Sequence, residues 1–407
     1  MSPRPRFFSE MRPNGIIRPS IESLVDQSGA YIIVSSQGST TDTALTNRRN
    51  AMAEAMQNIP HADQILLDFY DRTRIATWLR SHAGLIPWVR EQIGGPISGW
   101  HSYGSWADSV DAEYLFDDKL RVHTTKRDTG SGESVIEGIR QMREQLLKPR
   151  SVIRLVGLSG VGKTRLVQAL FDDRVGGQSL NPSLAIYTNM ADDPDPQPIG
   201  LASDIAISGE RAILIVDNCQ QELHQRLSEV CRQEPSKLSV LTVEYDIRED
   251  EPEGTEVFTL EPSSPELIEE LLRGRFRTIS QIDAHTIADF SGGNARTALA
   301  LAATTDRNGT VAGLSDEQLF QRLFVQRHAP DESLYLAAQA CSLVYSFEGE
   351  DVSAGEQAEL IRLGNMIGKN TQDVYRHIAE LLRRDLVQQR GVWRAVLRMQ
   401  LQIAWPP

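Results

Sequence analysis

Residues 157–164 read Gly-Leu-Ser-Gly-Val-Gly-Lys-Thr, and no other stretch restricts the possible folds of this chain so strongly. Before it, Ser151-Val152-Ile153-Arg154-Leu155-Val156 is a short β-rich run; after it, Arg165-Leu166-Val167-Gln168-Ala169-Leu170-Phe171 has helical spacing. Strand, glycine-rich turn and helix is the context in which G-x-x-x-x-G-K-[ST] acts as a phosphate-binding loop, the Walker A motif. Gly157, Gly160 and Gly162 permit a tight turn whose backbone N–H groups point inward at an anion. The N-terminus of the following helix adds partial positive charge. In such a loop Lys163 reaches the β- and γ-phosphates and the Thr164 hydroxyl holds Mg²⁺. Leu158, Ser159, Val161 and Arg165 complete the expected set of nucleotide contacts.

Bulk properties narrow the class. A chain of 407 residues has room for roughly two to four domains. Its 40% hydrophobic and 24% charged residues are ordinary for a folded globular protein. A formal net charge of -13 argues against non-specific nucleic-acid binding by the whole surface. The balance differs after Ile361, where Arg362, Lys369, Arg376, Arg383, Arg384, Arg390, Arg394 and Arg398 outnumber Asp373, Glu380 and Asp385. Cys219, Cys231 and Cys341 show no CxxC spacing, which favours a reducing compartment over disulfides or zinc. No apolar run approaches a membrane span. A cytoplasmic protein with no membrane partner is expected.

Along the chain, Pro3, Pro5, Pro13 and Pro19 oppose helix formation, and residues 1–30 read as a disordered tail. A β-α-β-α unit follows, with strands at 31–34 and 64–70, helices at 44–57 and 72–93, and a break in the second helix at 84–87. Residues 114–116 and 120–123 are placed to pair as a hairpin across Asp117-Asp118-Lys119, closing an N-terminal α/β domain at about 125. A linker and the amphipathic helix 134–147 occupy 126–150. Strand-like runs at 151–156, 184–188, 212–217, 238–244 and 256–260 alternate with helices, the mark of a parallel sheet covered on both faces. Helices then dominate, at 264–273, 281–290, 294–303, 315–326, 332–345, 355–367 and 371–384.

Three further constellations carry chemistry. Ile213-Leu214-Ile215-Val216-Asp217 is a strand ending in an acid, a Walker B pattern in which Asp217 holds Mg²⁺ through water. The next position, where many hydrolysing enzymes of this kind carry a glutamate base, is Asn218; an amide positions water but does not accept its proton. Glu244, ending the following strand, either senses the γ-phosphate with Thr242, substitutes as the base, or is a strand-end residue without a role. Ser291-Gly292-Gly293-Asn294-Ala295-Arg296 is a turn into a helix. A cation in the first turn is poorly placed for the helix dipole, so Arg296 either meets an external phosphate or lies in solvent. Residues 357–391 read helix, turn, helix and hairpin, a winged-helix pattern used either in a DNA groove or as a structural module.

From about Ser134 to Val396 the chain resembles the STAND-type signalling ATPases within the AAA+ group. The resemblance implies a five-stranded parallel P-loop NTPase core at 151–260, a helical lid at 261–313 with a "GGNxR" turn, and a C-terminal winged helix at 314–407. It also implies ATP/ADP and Mg²⁺ as ligands, with Lys163 and Arg296 on phosphate and Thr164 and Asp217 on the metal. Ala395-Val396-Leu397-Arg398-Met399 lacks the histidine this group carries after its winged helix, and the repeat sensor of the group is not expected here. The N-terminal β-α-β-α unit resembles the back half of an Mrr-type restriction endonuclease domain without its Asp and Glu-x-Lys, as in a non-catalytic remnant. The expected function is a slowly hydrolysing, nucleotide-dependent switch in bacterial defence or signalling, monomeric with ADP and self-associating with ATP. The alternatives are a DNA-engaging initiator or loader, with nucleic acid on the winged helix, and a nucleotide-binding scaffold without turnover.

Overall fold

Five strands of this chain are apolar on both faces, and the fold is organised around covering them. The computed structural model describes residues 4–95, 97–107, 114–124, 132–244, 255–305, 309–325, 331–344, 347–352, 358–384, 386–390 and 393–396. They form two units, Met1–His82 and Ala83–Pro407.

The first unit contains helices α1 (Arg4–Met11) and α2 (Pro19–Asp26), strand β1 (Ala30–Val34), helix α3 (Asp42–Ala55), strand β2 (Leu66–Tyr70) and helix α4 (Arg72–Arg80). β1 and β2 pair in parallel, giving the expected β-α-β-α order. The disordered tail expected before residue 31 is corrected: Met11, Ile17, Ile21 and Val25 are buried against Met52, Ala55, Met56, Ile65 and Phe69. Pro13 and Pro19 occupy the first turns of their helices, where a missing N–H costs nothing.

The second unit is built on an eight-stranded sheet. Its strands are β3 (Trp100–Ser102), β4 (Arg121–Thr124), β5 (Glu133–Ser134), β6 (Val152–Val156), β7 (Ala185–Asn189), β8 (Arg211–Asp217), β9 (Lys237–Val243) and β10 (Glu256–Leu260). They lie in the order β3-β7-β8-β9-β6-β10-β4-β5. The five from β7 to β10 are mutually parallel, as expected; β3 and β4 flank them antiparallel, and β5 pairs antiparallel with β4. The expected domain boundary at 125 therefore moves to residue 82, because β3 and β4 belong to this sheet. The expected hairpin is also absent. The Asp117 carboxylate instead accepts the N–H groups of Lys119 and Leu120, and β4 pairs with β10. Helix α5 (Ile86–Gln92) lies beyond the break expected after α4, and α6 (Tyr103–Trp106) follows β3.

Successive residues of each central strand face opposite cores. Ile213 and Ile215 point to the side of α7 (Val135–Leu147) and α8 (Lys163–Ala169). Ala212, Leu214 and Val216 point to the side of α9 (Pro198–Ser208) and α10 (Gln221–Arg232). A two-faced core explains strands that read as continuous apolar runs.

The remaining helices are α11 (Pro265–Arg275), α12 (Gln281–Ser291), α13 (Ala295–Ala302), α14 (Asp316–Val325), α15 (Glu332–Ser342), α16 (Glu359–Met366) and α17 (Thr371–Arg383). A three-stranded antiparallel sheet of β11 (Phe347–Glu348), β13 (Trp393–Val396) and β12 (Val387–Arg390) accompanies them. Ile268, Leu272, Ile287 and Leu301 share one continuous core with Leu323, Leu334, Phe347, Leu360 and Leu381. Residues 397–407, and with them most of the stretch searched for a histidine, lie outside the described residues.

Helix α8 is only seven residues long, and Arg143 of α7 closes its end. The buried guanidinium donates to the carbonyls of Ala169, Leu170, Asp172, Val175 and Gly177 at 2.5–3.0 Å. Arg143→Met keeps the apolar stem but strands these acceptors, and is expected to cost about 3 kcal/mol, read as a lower urea midpoint.

Candidate functional site

β6 delivers the chain into a turn of glycines in left-handed conformations, with φ +147° at Gly157, +77° at Gly160 and +98° at Gly162. A Cβ on Gly157 would stand 2.6 Å from the Leu260 carbonyl oxygen, and one on Gly160 would overlap the Asn294 side chain. Lys163 opens α8, and its ammonium donates to the carbonyls of Gly157 and Leu158 at 2.8 and 2.7 Å. The Ser159 hydroxyl, 6% exposed, has no hydrogen-bond partner among the described residues.

Two strands away, β8 ends in Asp217. Its Oδ2 accepts the Thr164 hydroxyl at 2.7 Å and the Tyr187 hydroxyl at 3.3 Å, and its Oδ1 accepts the Asn218 N–H at 2.8 Å. Burial, reinforced by the Asp217 carboxylate, holds the Tyr187 phenol well above its ordinary pKa, so it remains a donor. Asn218 has φ +54°, a region that asparagine tolerates better than most residues. Its side-chain amide donates to Asn189 Oδ1 at 2.7 Å.

The third wall comes from the helices after β10. Asn294 caps α13 by accepting the Thr297 N–H, and its amide donates to the Ser159 carbonyl at 2.8 Å. Gly293 packs so closely on Ser263 that a Cβ would overlap its carbonyl. Arg275 and Phe276 from the end of α11, with Arg296 and Leu299 from α13, then face the loop across a cavity of about 650 Å³. Lys163, Arg165, Arg275 and Arg296 line it against Asp217. Beside it lies an apolar hollow of about 180 Å³ between Tyr114, Phe116, Val161, Leu166, Leu260 and Leu267. The Arg165 guanidinium sits 3.9 Å from the Tyr114 ring centroid at this hollow.

A glycine loop from one parallel strand, an acid from the next strand but one, and a hydroxyl joining them decide the architecture. This is the P-loop NTPase fold. No family model and no curated protein match the sequence. Among solved structures the chain is similar to the RuvB Holliday junction branch migration motor of Thermotoga maritima. The identity is 16%, over 64% of this chain and 90% of that one, with a TM-score of 0.35. It is similar to a Signal Transduction ATPase with Numerous Domains protein with a tetratricopeptide repeat sensor from Pyrococcus horikoshii. There the identity is 15%, over 65% of this chain and 41% of that one, with a TM-score of 0.32. It is also similar to a Walker-type ATPase of Pyrococcus abyssi, 11% identical over 64% of this chain and 92% of that one, with a TM-score of 0.32.

Of the residues expected from sequence, Ser159, Gly160, Gly162, Lys163, Thr164, Arg165, Asp217, Asn218 and Arg296 converge on the larger cavity. Val161 lines the hollow beside it, and Gly157 and Leu158 hold the Lys163 ammonium. Glu244 departs from expectation, because its carboxylate pairs with Arg154 at 2.5–2.7 Å, both side chains are buried, and it does not line the cavity. A carboxylate neutralised by a buried guanidinium is a poor proton acceptor. Thr242 likewise turns to His224, at 2.7 Å. Burial, with Arg154 nearby, pushes the His224 imidazole down to about 4. Sequence reasoning missed Tyr187, Asn189 and Arg275. Asn189 and Tyr187 stand at the end of a strand beside the acid-bearing one, which is the only signal they carry; Arg275 carries none.

Gly160→Ala places a methyl against Asn294 Oδ1 and Arg296 Cβ at a left-handed φ. The variant is expected to fold, to lose hydrogen-exchange protection at 292–300, and to bind ATP about tenfold more weakly, from a strain of 1–3 kcal/mol, as read by calorimetry.

Proposed function

We propose that Ala83–Pro407 is an ATP-dependent conformational switch that binds Mg²⁺·ATP between the P-loop and the lid and turns it over slowly. The observation that carries this reading is the Asn294–Ser159 hydrogen bond, which ties the lid turn to the loop at the edge of the cavity. Whatever fills the cavity meets Lys163 on one side and Arg275 and Arg296 on the other, so its charge acts on the contact between them. The residues fit the ligand. Four cations and the unpartnered Ser159 hydroxyl suit a polyphosphate. The Thr164 hydroxyl beside the Asp217 carboxylate suits a hard divalent cation. Mg²⁺ bound there would neutralise phosphate charge. The apolar hollow at Tyr114 and Phe116 is a candidate seat for the base.

Asn218 supports slow turnover, because its amide is engaged by Asn189 and accepts no proton. On the order α15-β11-α16-α17-β12-β13, the C-terminal segment is proposed to be a winged helix. Nucleic acid is not favoured as its partner. Arg376 of α17 pairs with Asp373, and Arg383 and Arg384 pair with Glu380, leaving these charges partly neutralised. Met1–His82 is proposed to be a non-catalytic adaptor. There Asp68 is held by Arg49 and Arg74, and Asp71 by Thr40 and the Arg74 N–H. A role in defence or signalling, and self-association with ATP, belong to the same proposal; light scattering with each nucleotide tests the second.

Lys163→Ala is expected to abolish ATP binding in calorimetry, and undiminished affinity would refute the site. Asn218→Glu tests the turnover argument. General bases contribute about 10²–10⁴-fold, and a glutamate at this left-handed position forfeits about 1–2 kcal/mol, so a rise of at least about threefold in phosphate release is expected. An unchanged rate with ATP binding intact would place the limit elsewhere.

A further inference from the structure

Asp217 is held by more than the Walker motifs. Tyr187 stands on β7, one strand outside β8, with Asn189 opposite Asp217 in the parallel register. Its hydroxyl reaches the same Oδ2 that receives the Thr164 hydroxyl. The ring cannot swing freely, since the Trp106 indole stacks on it with centroids 4.1 Å apart and planes 12° apart. Trp106 is fastened in turn to α8. Gln168 donates to the Trp106 carbonyl at 3.2 Å, and the neighbouring Tyr103 hydroxyl donates to the Gln168 carbonyl at 3.1 Å. One helix thus grips both ends of a short chain of contacts. Thr164 at its start touches Asp217 directly, and Gln168, one turn on, reaches Asp217 through Trp106 and Tyr187.

We propose that Tyr187, braced by Trp106, is a positioning residue that fixes the Asp217 carboxylate for Mg²⁺ bound with nucleotide. The inference rests on the P-loop reading above. Oδ1 is oriented by the Asn218 N–H, and Oδ2 is shared by two hydroxyls on different elements. Losing the Tyr187 donor leaves the carboxylate held by the Thr164 hydroxyl and the Asn218 N–H alone, and so less tightly fixed before the metal arrives. Nucleotide without metal engages the glycine loop and Lys163, to which Tyr187 makes no hydrogen bond among the described residues, and is not affected.

The test uses the full chain and ATP titrated calorimetrically in EDTA and across a Mg²⁺ series. Tyr187→Phe retains the ring stack and removes only the hydroxyl. It is expected to bind ATP in EDTA within about twofold of wild type, and to need about three- to tenfold more Mg²⁺ for half its enhancement, the scale of one ordinary hydrogen bond. The emission of Trp106, isolated by difference from Trp106→Phe, is expected to change with Mg²⁺ in wild type and much less in the phenylalanine variant. A Tyr187→Phe protein that takes Mg²⁺ as readily as wild type, or more readily, overturns the inference while leaving the P-loop reading intact. A wild-type protein that binds no ATP, or binds it without regard to Mg²⁺, overturns both. Equal weakening in EDTA and in Mg²⁺ makes Tyr187 a packing residue and likewise rejects the proposal.

Discussion

The hydrogen bond from Thr164 to Asp217 joins the two elements on which everything else converges. It crosses β9 to link the helix that follows the glycine loop to the strand that ends in an acid. For the two groups to meet, β6 and β8 must end at the same level. The strand register sets this, with Leu155 opposite Val243 and Val243 opposite Asp217. Register in turn is held by the two faces of the sheet, since a shift of one residue would exchange the side chains of one core for those of the other. The position of a single hydroxyl therefore depends on apolar packing across the whole sheet.

Much of this was legible in the sequence because the relevant signals are local. The glycine loop must be a turn wherever it occurs, and five apolar runs separated by helical spacing describe a parallel sheet. Asp217 and Thr164 were identified by motif and do meet. What escaped was non-local. The segments at 100–102 and 121–124 are too short to reveal that they join the sheet on opposite sides, far from one another in strand order. Pro13 and Pro19 look like helix breakers in the sequence, although at the first turn they start helices. Glu244 looked available because its strand-end position is visible, whereas its partner Arg154 lies far away in sequence on a neighbouring strand.

The charge distribution reconciles an acidic chain with the anionic ligand proposed for it. The formal net charge is -13, yet Lys163, Arg165, Arg275 and Arg296 gather round one cavity. Two of these come from the loop and its helix and two from α11 and α13, so the four gather where these elements face each other. Lys119 and Glu266, His285 and Glu269, and Arg140 and Glu137 pair elsewhere on the surface. Counter-charges there are taken up locally, whereas at the cavity the cations outnumber the acid.

The continuous core shared by the lid helices and the C-terminal helices has a mechanical consequence. Ile268 and Leu272 of α11 belong to the same packed cluster as Leu360 of α16 and Leu381 of α17. Close-packed interiors resist internal shear, so this assembly behaves as a lever arm and not as a string of beads. It follows the sheet through the short stretch from Leu260 to Ser264, where Gly293 seats against Ser263. In the switch proposed above, a small rotation about that stretch would displace Asn294 little and the distant end of the arm far more, so that a change at the loop would be enlarged by geometry alone.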